Sequence, residues 1–399
     1  MEYAEKGYKF FLALYMFFIV STISNAGRSI ALGGVVLLAG YYWAKGKRTI
    51  RFESFAEEKR YWIVYGAFFG LLILAAFFAP TKTAIASTLK YLYWTLPLWV
   101  IYISGFFFPV HKLWRDAVAL AVIVIGAFSV HQFICMPFGT RLSAPFANPN
   151  GLAGILELCL PFGALFVVNE YKLKQKNPKK SKKEFWLNAV ATTAALFVLL
   201  FTQSRGGIAG TFIGGIVLVA MKFWLKYRNN VSIKRKICII LMGIVLITGV
   251  VFRGFILFHR SYDLERFLMI ESSYHMWEDH KVFGVGLDNW GNEYKKYVSP
   301  MAKEPNLPMP HNNVAFFFST TGIVGGLGYC VYVLGTLAFL LKKIRENPVN
   351  LYYSAAFWAF LAIVIHGMVD SGIMNKYQMQ ILSANLGVAL SSSIVSDKD

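Results

Sequence analysis

The sequence predicts an all-α protein that crosses a membrane about twelve times. Three observations support this class: 56% of the 399 residues are hydrophobic and only 15% are charged, the mean hydropathy is +0.50, and long apolar segments recur along the whole chain. A water-soluble globule of this size is far less apolar. The net charge is +19. In a membrane protein the distribution of this charge between the loops matters more than its sum, so no nucleic-acid partner is expected.

The apolar segments approach the length, about 20 residues, that a helix needs to cross a bilayer. The first segment lacks a basic leader and a small-residue cleavage site, so it is predicted to be a retained helix that contacts membrane lipids. The predicted membrane segments are 9–25, 29–44, 61–79, 87–109, 116–137, 150–169, 186–204, 206–225, 237–257, 312–341, 351–371 and 377–395.

The lysines and arginines alternate between the loops. Because cations are retained on the cytoplasmic side during insertion, the basic loops are predicted to be cytoplasmic and the others to lie outside. Both termini are then cytoplasmic, in a multi-pass membrane protein. The basic loops contain Lys45, Lys47, Arg48, Arg51, Lys59 and Arg60, then the lysines from Lys172 to Lys183, then Lys222, Lys226, Arg228, Lys234, Arg235 and Lys236. The other loops are poor in lysine and arginine, and they carry essentially one each: Arg28, Lys82, Arg141, Arg205 and Lys376.

One outer loop is much longer than the rest. It is predicted to contain an amphipathic helix from Leu264 to Trp277, a turn at Phe283–Gly286 and a proline-rich approach to the next membrane segment. The chain is therefore divided into N-terminal membrane helices (1–140), central membrane helices (141–257), the outer loop (258–310) and C-terminal membrane helices (311–399).

A tight turn on the outer side carries Arg205, in the sequence Thr202-Gln203-Ser204-Arg205-Gly206-Gly207. Two glycines after the arginine let a helix begin with its backbone N–H groups open, and an anion can bind those donors together with the guanidinium. The alternative is an interfacial arginine that anchors a helical hairpin. Arg266, near the start of the predicted loop helix, is unremarkable by itself, because a solvated helix carries charges and Arg253 and Arg260 lie nearby.

A histidine stands at the mouth of a membrane helix, in Pro310-His311-Asn312-Asn313. In contact with water, it can accept a proton from a hydroxyl group. The alternative is a hydrogen-bonded helix cap, a role that Asn312 or Asn313 can also fill without excluding catalysis by His311.

Further polar residues lie at helix ends. His366 and Asp370 have i,i+4 spacing, which predicts that they share one helix face, and an ionisable residue there is costly without a partner or a task. The same cost applies to Glu157, which lies about two turns into a predicted membrane segment. Arg141 and the turn Asn148-Pro149-Asn150 either line the same cavity or end a helix.

Other chemistries find no support in the sequence. There is no cluster of carboxylates, histidines or cysteines at metal-ligand spacing, which favours a metal-free site for a phosphate-bearing ligand without a cofactor. No P-loop, dinucleotide fingerprint or nucleophilic serine or cysteine arrangement is present. The four cysteines, Cys135, Cys159, Cys238 and Cys330, are interpreted as packing residues.

Together these motifs resemble the O-antigen ligase and polymerase superfamily. The resemblance rests on the many membrane segments, the large outer loop, the turn Ser204 to Gly207, and His311-Asn312 followed by Gly322 and Gly325. It is strongest from Arg141 to Asp370, and the N-terminal segments match only in number and hydrophobicity.

The resemblance implies a helical bundle of the GT-C glycosyltransferase type. It implies transfer of a glycan from undecaprenyl diphosphate to an acceptor hydroxyl outside the cytoplasmic membrane, with inversion and without metal or nucleotide. For a ligase the acceptor is the lipid A-core. Arg205 and Arg266 are then expected to neutralise the diphosphate and His311 to act as general base, while Asp370 matches an outer acidic residue. Asn312 and Arg141 are added as substrate-binding candidates.

Two alternatives remain open on the sequence alone. A polymerase of O-antigen or exopolysaccharide would share these motifs and differ in its acceptor. A flippase for lipid-linked glycans also needs a cationic cavity, but would tend to show paired helix interruptions in both halves and a polar path through the midplane. The notable residues are instead predicted on one face, which favours the transferase.

Overall fold

The structure is a computed structural model that describes residues 2–45, 55–56, 58–137, 139–176, 182–227, 232, 262–370 and 372–395. In these ranges the chain forms α-helices joined by mostly short connections, with one 3-10 helix and no strand. The all-α class predicted from the sequence is therefore confirmed for the described part of the chain.

Fourteen α-helices are present in those ranges. They are α1 (Glu2–Ser21), α2 (Asn25–Ala44), α3 (Lys59–Phe78), α4 (Ala84–Tyr93), α5 (Leu96–Phe107), α6 (Val110–Cys135), α7 (Pro149–Lys176), α8 (Lys182–Phe201), α9 (Arg205–Lys226), α10 (Tyr262–Asp279), α11 (Trp290–Tyr297), α12 (Asn313–Glu346), α13 (Leu351–His366) and α14 (Lys376–Val395), with the 3-10 helix at Gly372–Met374.

Six of these helices, α3, α6, α7, α8, α9 and α12, are long and apolar enough to cross a membrane by length and composition. α13 is shorter but equally apolar. Lipid cannot hydrogen-bond backbone groups, and helices satisfy those groups internally, so this architecture suits a bilayer. The chain is therefore a polytopic membrane protein.

The predicted membrane segments coincide with helices wherever the structure describes them. The segment 237–257 lies outside the described residues. The segment 87–109 is divided into α4 and α5 at Trp94–Thr95, and Pro97 in the first turn of α5 suits a new helix start because it needs no N–H partner there. The total of about twelve crossings and the GT-C arrangement stay predictions.

Aromatic side chains fill much of the interior. Trp114 is fully buried, and the rings of Phe68 and Tyr332 stack with their centroids 4.7 Å apart, which joins α3 to α12. Other aromatic residues, such as Trp43 and Trp186, are exposed near helix ends. Aromatic rings near the helix ends therefore account for only part of the aromatic content, and packing between helices accounts for the rest.

The outer loop carries the predicted helix, which is α10, and a second helix, α11, that the sequence analysis did not predict. The predicted turn at Phe283–Gly286 is also present, and it is bound to α12 through the backbone. The N–H of Gly286 donates to the carbonyl of Thr320 (2.8 Å), and the N–H of Ile323 donates to the carbonyl of Lys281 (2.8 Å). The end of the bundle that carries residues 262–310 is named the loop end.

Gly322 makes this docking possible. Its φ of 60° and ψ of −162° interrupt the helical geometry of α12, and this frees backbone groups that the loop then satisfies. A Cβ atom at Gly322 would collide with the backbone of Val282 and Phe283. The glycine that the sequence motif singled out therefore fixes the position of the outer loop.

We predict that Gly322→Ala lowers the free energy of unfolding by about 3 kcal/mol, because it combines a disfavoured φ with a backbone collision. The measurement is the thermal unfolding of the purified protein in detergent. Gly70→Ala is the control, because a Cβ at Gly70 meets no atom within 4 Å. Equal stability of the two variants would contradict the assigned role of Gly322.

Candidate active site

The turn that carries Arg205 joins α8 to α9 at the loop end. Ser204 is the N-cap of α9, and its side chain accepts a hydrogen bond from the N–H of Gly207 (3.4 Å). Gln203 has a φ of 52°, which lets the chain reverse within three residues. Arg205, the first residue of α9, is half-buried, and its backbone lies at the positive end of the helix dipole.

The two glycines after Arg205 have a role in helix packing that the sequence did not predict. The N–H of Gly207 is occupied by Ser204, so it is not open to an anion. A Cβ at Gly206 would lie 2.5 Å from Cδ2 of His366, and a Cβ at Gly207 would lie 2.8 Å from Cβ of Ala153. The glycines therefore let α13 and α7 approach the start of α9 closely.

Arg141 connects this turn to the start of α7. Its Nε donates to the carbonyl of Thr202 (2.8 Å), and its Nη2 donates to Oδ1 of Asn150 (2.8 Å). The sequence left open whether Arg141 and the turn at Asn148 line the cavity or end a helix, and these contacts favour the role at the helix ends. The predicted contact of Arg141 with substrate stays a prediction.

His311 lies at the start of α12 and faces Asp370. Its Nδ1 is 3.0 Å from Oδ1 of Asp370, and the two side chains are 26% and 15% exposed. A carboxylate can only accept a hydrogen bond, so we assign the proton of the neutral imidazole to Nδ1. Nε2 then keeps its lone pair, as a general base requires.

Asn312 fixes the backbone around this pair. Its side chain caps α12 by accepting from the N–H of Ala315 (2.9 Å), and its Nδ2 donates to the carbonyl of Met368 (2.8 Å). The N–H of Asn313 donates to the carbonyl of Gly367 (2.7 Å). Asn312 therefore has the cap role that the sequence analysis considered, and its predicted contact with substrate stays a prediction.

The predicted helix face shared by His366 and Asp370 falls at the end of α13 rather than within a helix. α13 ends at His366, and the N–H of Asp370 still donates to the carbonyl of His366 (3.0 Å). The side chains nevertheless have different partners: Asp370 meets His311, whereas Nδ1 of His366 lies 3.0 Å from Oε1 of Glu157. The contact of Asp370 with substrate stays a prediction. The hydrogen bond between Asp370 and His311 indicates that Asp370 orients the imidazole.

Glu157 thus has a partner that the sequence could not reveal. The two residues are separated by 209 positions, and both are buried, with Glu157 0% and His366 1% exposed. The sequence indicated only that an ionisable side chain such as Glu157 is costly in an apolar helix. Ser204, whose Oγ lies 3.5 Å from Nε2 of His366, was not predicted as a partner.

Arg266 lies on α10 of the outer loop. Its side chain is half-buried, and its charge acts on His366, as does the charge of Asp370. Ser204 and Gly206 lie against His366, so the turn of Arg205 packs against this histidine. The structure therefore brings the Arg205 turn next to the segment of His366 and Asp370, and Asp370 links that segment to His311.

Potential metal ligands are not grouped in the described ranges. No set of three or more histidine, cysteine, aspartate and glutamate side chains there is arranged to hold a metal ion. The site instead consists of arginines and of histidines that are each hydrogen-bonded to a carboxylate. Such a set suits an anionic ligand bound by guanidinium groups.

Residues 190–330 match the family model Wzy_C, described as O-antigen ligase. The resemblance to the O-antigen ligase superfamily is thereby confirmed for this segment. The segment contains Arg205, Arg266 and His311, whereas Arg141 and Asp370 lie outside it. No curated protein matches the chain.

We predict that Arg141→Ala lowers the free energy of unfolding by about 2 kcal/mol, because two charge-assisted hydrogen bonds between separate turns are lost. Thermal unfolding in detergent measures the change, with Lys82→Ala as a control because Lys82 is an exposed cation. Unchanged stability combined with weaker binding of undecaprenyl diphosphate would instead support direct contact with substrate.

Proposed function

We propose that the protein is an O-antigen ligase, a glycosyltransferase of lipopolysaccharide biosynthesis. It transfers a glycan from undecaprenyl diphosphate to a hydroxyl group of the lipid A-core, with inversion and without metal. The observation that carries this proposal is the His311–Asp370 pair next to His366, against which the Arg205 turn packs, in a chain whose residues 190–330 match the O-antigen ligase model.

The reaction requires two events on opposite faces of the anomeric carbon. The acceptor hydroxyl oxygen forms a bond to this carbon while the bond to the diphosphate oxygen breaks, and this inverts the configuration. The hydroxyl proton passes to Nε2 of His311, which is the nitrogen that remains basic when Nδ1 donates to Asp370. The diphosphate leaves as an anion, and Arg205 and Arg266 neutralise its growing charge.

The proposed location is the periplasmic side of the cell inner membrane, with both termini in the cytoplasm. The alternation of basic and poor loops supports this orientation, because cations are retained in the cytoplasm during insertion. In this orientation the loop end faces the periplasm, where a lipid-linked donor in the outer leaflet can reach it.

His311→Ala is predicted to reduce the transfer rate by about 10² to 10⁴, the usual contribution of a general base. The assay uses purified protein in detergent with EDTA, a glycan linked to undecaprenyl diphosphate and a lipid A-core acceptor. His275→Ala is the control, because His275 is an exposed histidine of the same loop. Near-normal transfer by folded His311→Ala would remove the proposed base.

For Asp370→Asn we expect a transfer rate lower by about 10- to 100-fold, because a neutral amide holds the imidazole orientation and tautomer less firmly than a carboxylate. The expected loss is in kcat, measured in the same assay, with the KM of the acceptor nearly unchanged. A selective rise in this KM would instead favour direct contact between Asp370 and the acceptor.

The second candidate is a polymerase that uses a second lipid-linked glycan as acceptor, and the matched superfamily includes that chemistry. Mass spectrometry of lipopolysaccharide from a strain that lacks the gene separates the two. Loss of capped core, with polymer left on the lipid carrier, supports the ligase. Loss of long polymer, with single repeats still joined to core, supports the polymerase.

A flippase is a third candidate of a different class. It also binds a lipid-linked diphosphate, but it makes and breaks no bond. Formation of the transferred product by purified protein in detergent, without any membrane to cross, excludes it.

A further inference from the structure

A buried polar chain lies directly beneath the candidate site and joins three helices. Oε1 of Glu157 in α7 is 3.0 Å from Nδ1 of His366 at the end of α13, and Nε2 of His366 is 3.5 Å from Oγ of Ser204, the cap of α9. The three residues are 0%, 1% and 2% exposed. They have no place in the transfer chemistry described above.

His366 touches both halves of the site. On one side its ring fills the space that a side chain at Gly206 would need, next to Arg205. On the other side its carbonyl accepts from the N–H of Asp370 (3.0 Å), and Asp370 holds His311. His366 therefore links the Arg205 turn, which its ring contacts, to the Asp370–His311 pair, which its backbone carbonyl contacts.

Stability alone gives a weak reason for such a pair. Removing an ionisable pair from water is costly, and replacement of buried pairs by apolar residues of similar volume is often neutral or stabilising. The pair nevertheless fixes the orientation of the imidazole, because Nδ1 is committed to Glu157. A ring held in this way presents a constant edge to the first turn of α9.

We propose that His366 is a positioning residue, oriented by Glu157, which sets the distance between the Arg205 turn and the Asp370–His311 pair. This inference rests on the proposed transferase function. It predicts that loss of the ring misplaces the diphosphate relative to the base, and a displacement of about 1 Å can cost roughly 10²-fold in rate.

The test uses His366→Asn in the purified full-length protein. Asn Nδ2 can occupy the position of imidazole Nδ1 and still donate to Glu157, so the buried carboxyl keeps a partner, whereas the contacts with Ser204 and Gly206 are lost. We expect kcat per folded molecule to fall by about 10- to 100-fold, as for other groups that orient a reacting side chain. The melting temperature and the affinity for undecaprenyl diphosphate should stay close to those of the wild type.

Two further variants complete the experiment. Ser204→Gly removes the Oγ atom while glycine remains an acceptable N-cap, and it should lower kcat by about 10-fold with no further loss when combined with His366→Asn. His111→Asn is the matched control, because His111 is a buried histidine that contacts Ser391 near the start of α6, away from the site. Its kcat per folded molecule should equal that of the wild type.

The outcomes separate this inference from the proposed function. Full activity of folded His366→Asn, together with an inactive His311→Ala, overturns the positioning role and leaves the transferase standing. A loss that follows only the folded fraction also overturns it, as does an equal loss in His111→Asn. If His366→Asn does not fold, the Ser204→Gly result decides, and unchanged kcat there overturns the role. Full activity of His311→Ala refutes the transferase mechanism itself.

Discussion

The candidate site depends on the junction between the start of α12 and the segment that follows α13. Three contacts form it: Asn313 N–H to the Gly367 carbonyl at 2.7 Å, Asn312 Nδ2 to the Met368 carbonyl at 2.8 Å, and His311 Nδ1 to Asp370 Oδ1 at 3.0 Å. His311 has a φ of 50°, a conformation that is uncommon for a residue with a side chain and needs support from its surroundings. The backbone contacts supply that support and hold His311 towards Asp370.

The cations of the site come from elements that are distant in sequence. Arg205 begins α9 at the loop end, and Arg266 lies on α10 of the outer loop, which is itself bound to α12 at the Gly322 break. A shift of that loop would therefore move Arg266 relative to His311. This dependence explains in physical terms why a glycine far from any reacting group belongs to the same sequence motif as the histidine.

Much of this arrangement could be predicted from the sequence, and particular residues show where prediction stopped. Apolar length predicted the membrane helices. The Arg205 turn was a candidate because two glycines follow the arginine at a helix start, and His311 because a histidine at a helix mouth can accept a proton. The Glu157–His366 pair could not be found, since nothing local links residues 209 positions apart. The packing role of the glycines after Arg205 could not be predicted for the same reason: their neighbours, His366 and Ala153, are tertiary contacts.

In the proposed mechanism, Arg205 and Arg266 bind one diphosphate beside His311. A structure determined by electron cryomicroscopy with undecaprenyl diphosphate tests it most directly. We expect diphosphate oxygens within about 3 Å of both guanidinium groups. Nε2 of His311 should face the position of the sugar that the donor would carry. A diphosphate bound at the opposite end of the bundle, or held by only one of the two arginines and remote from His311, would contradict it.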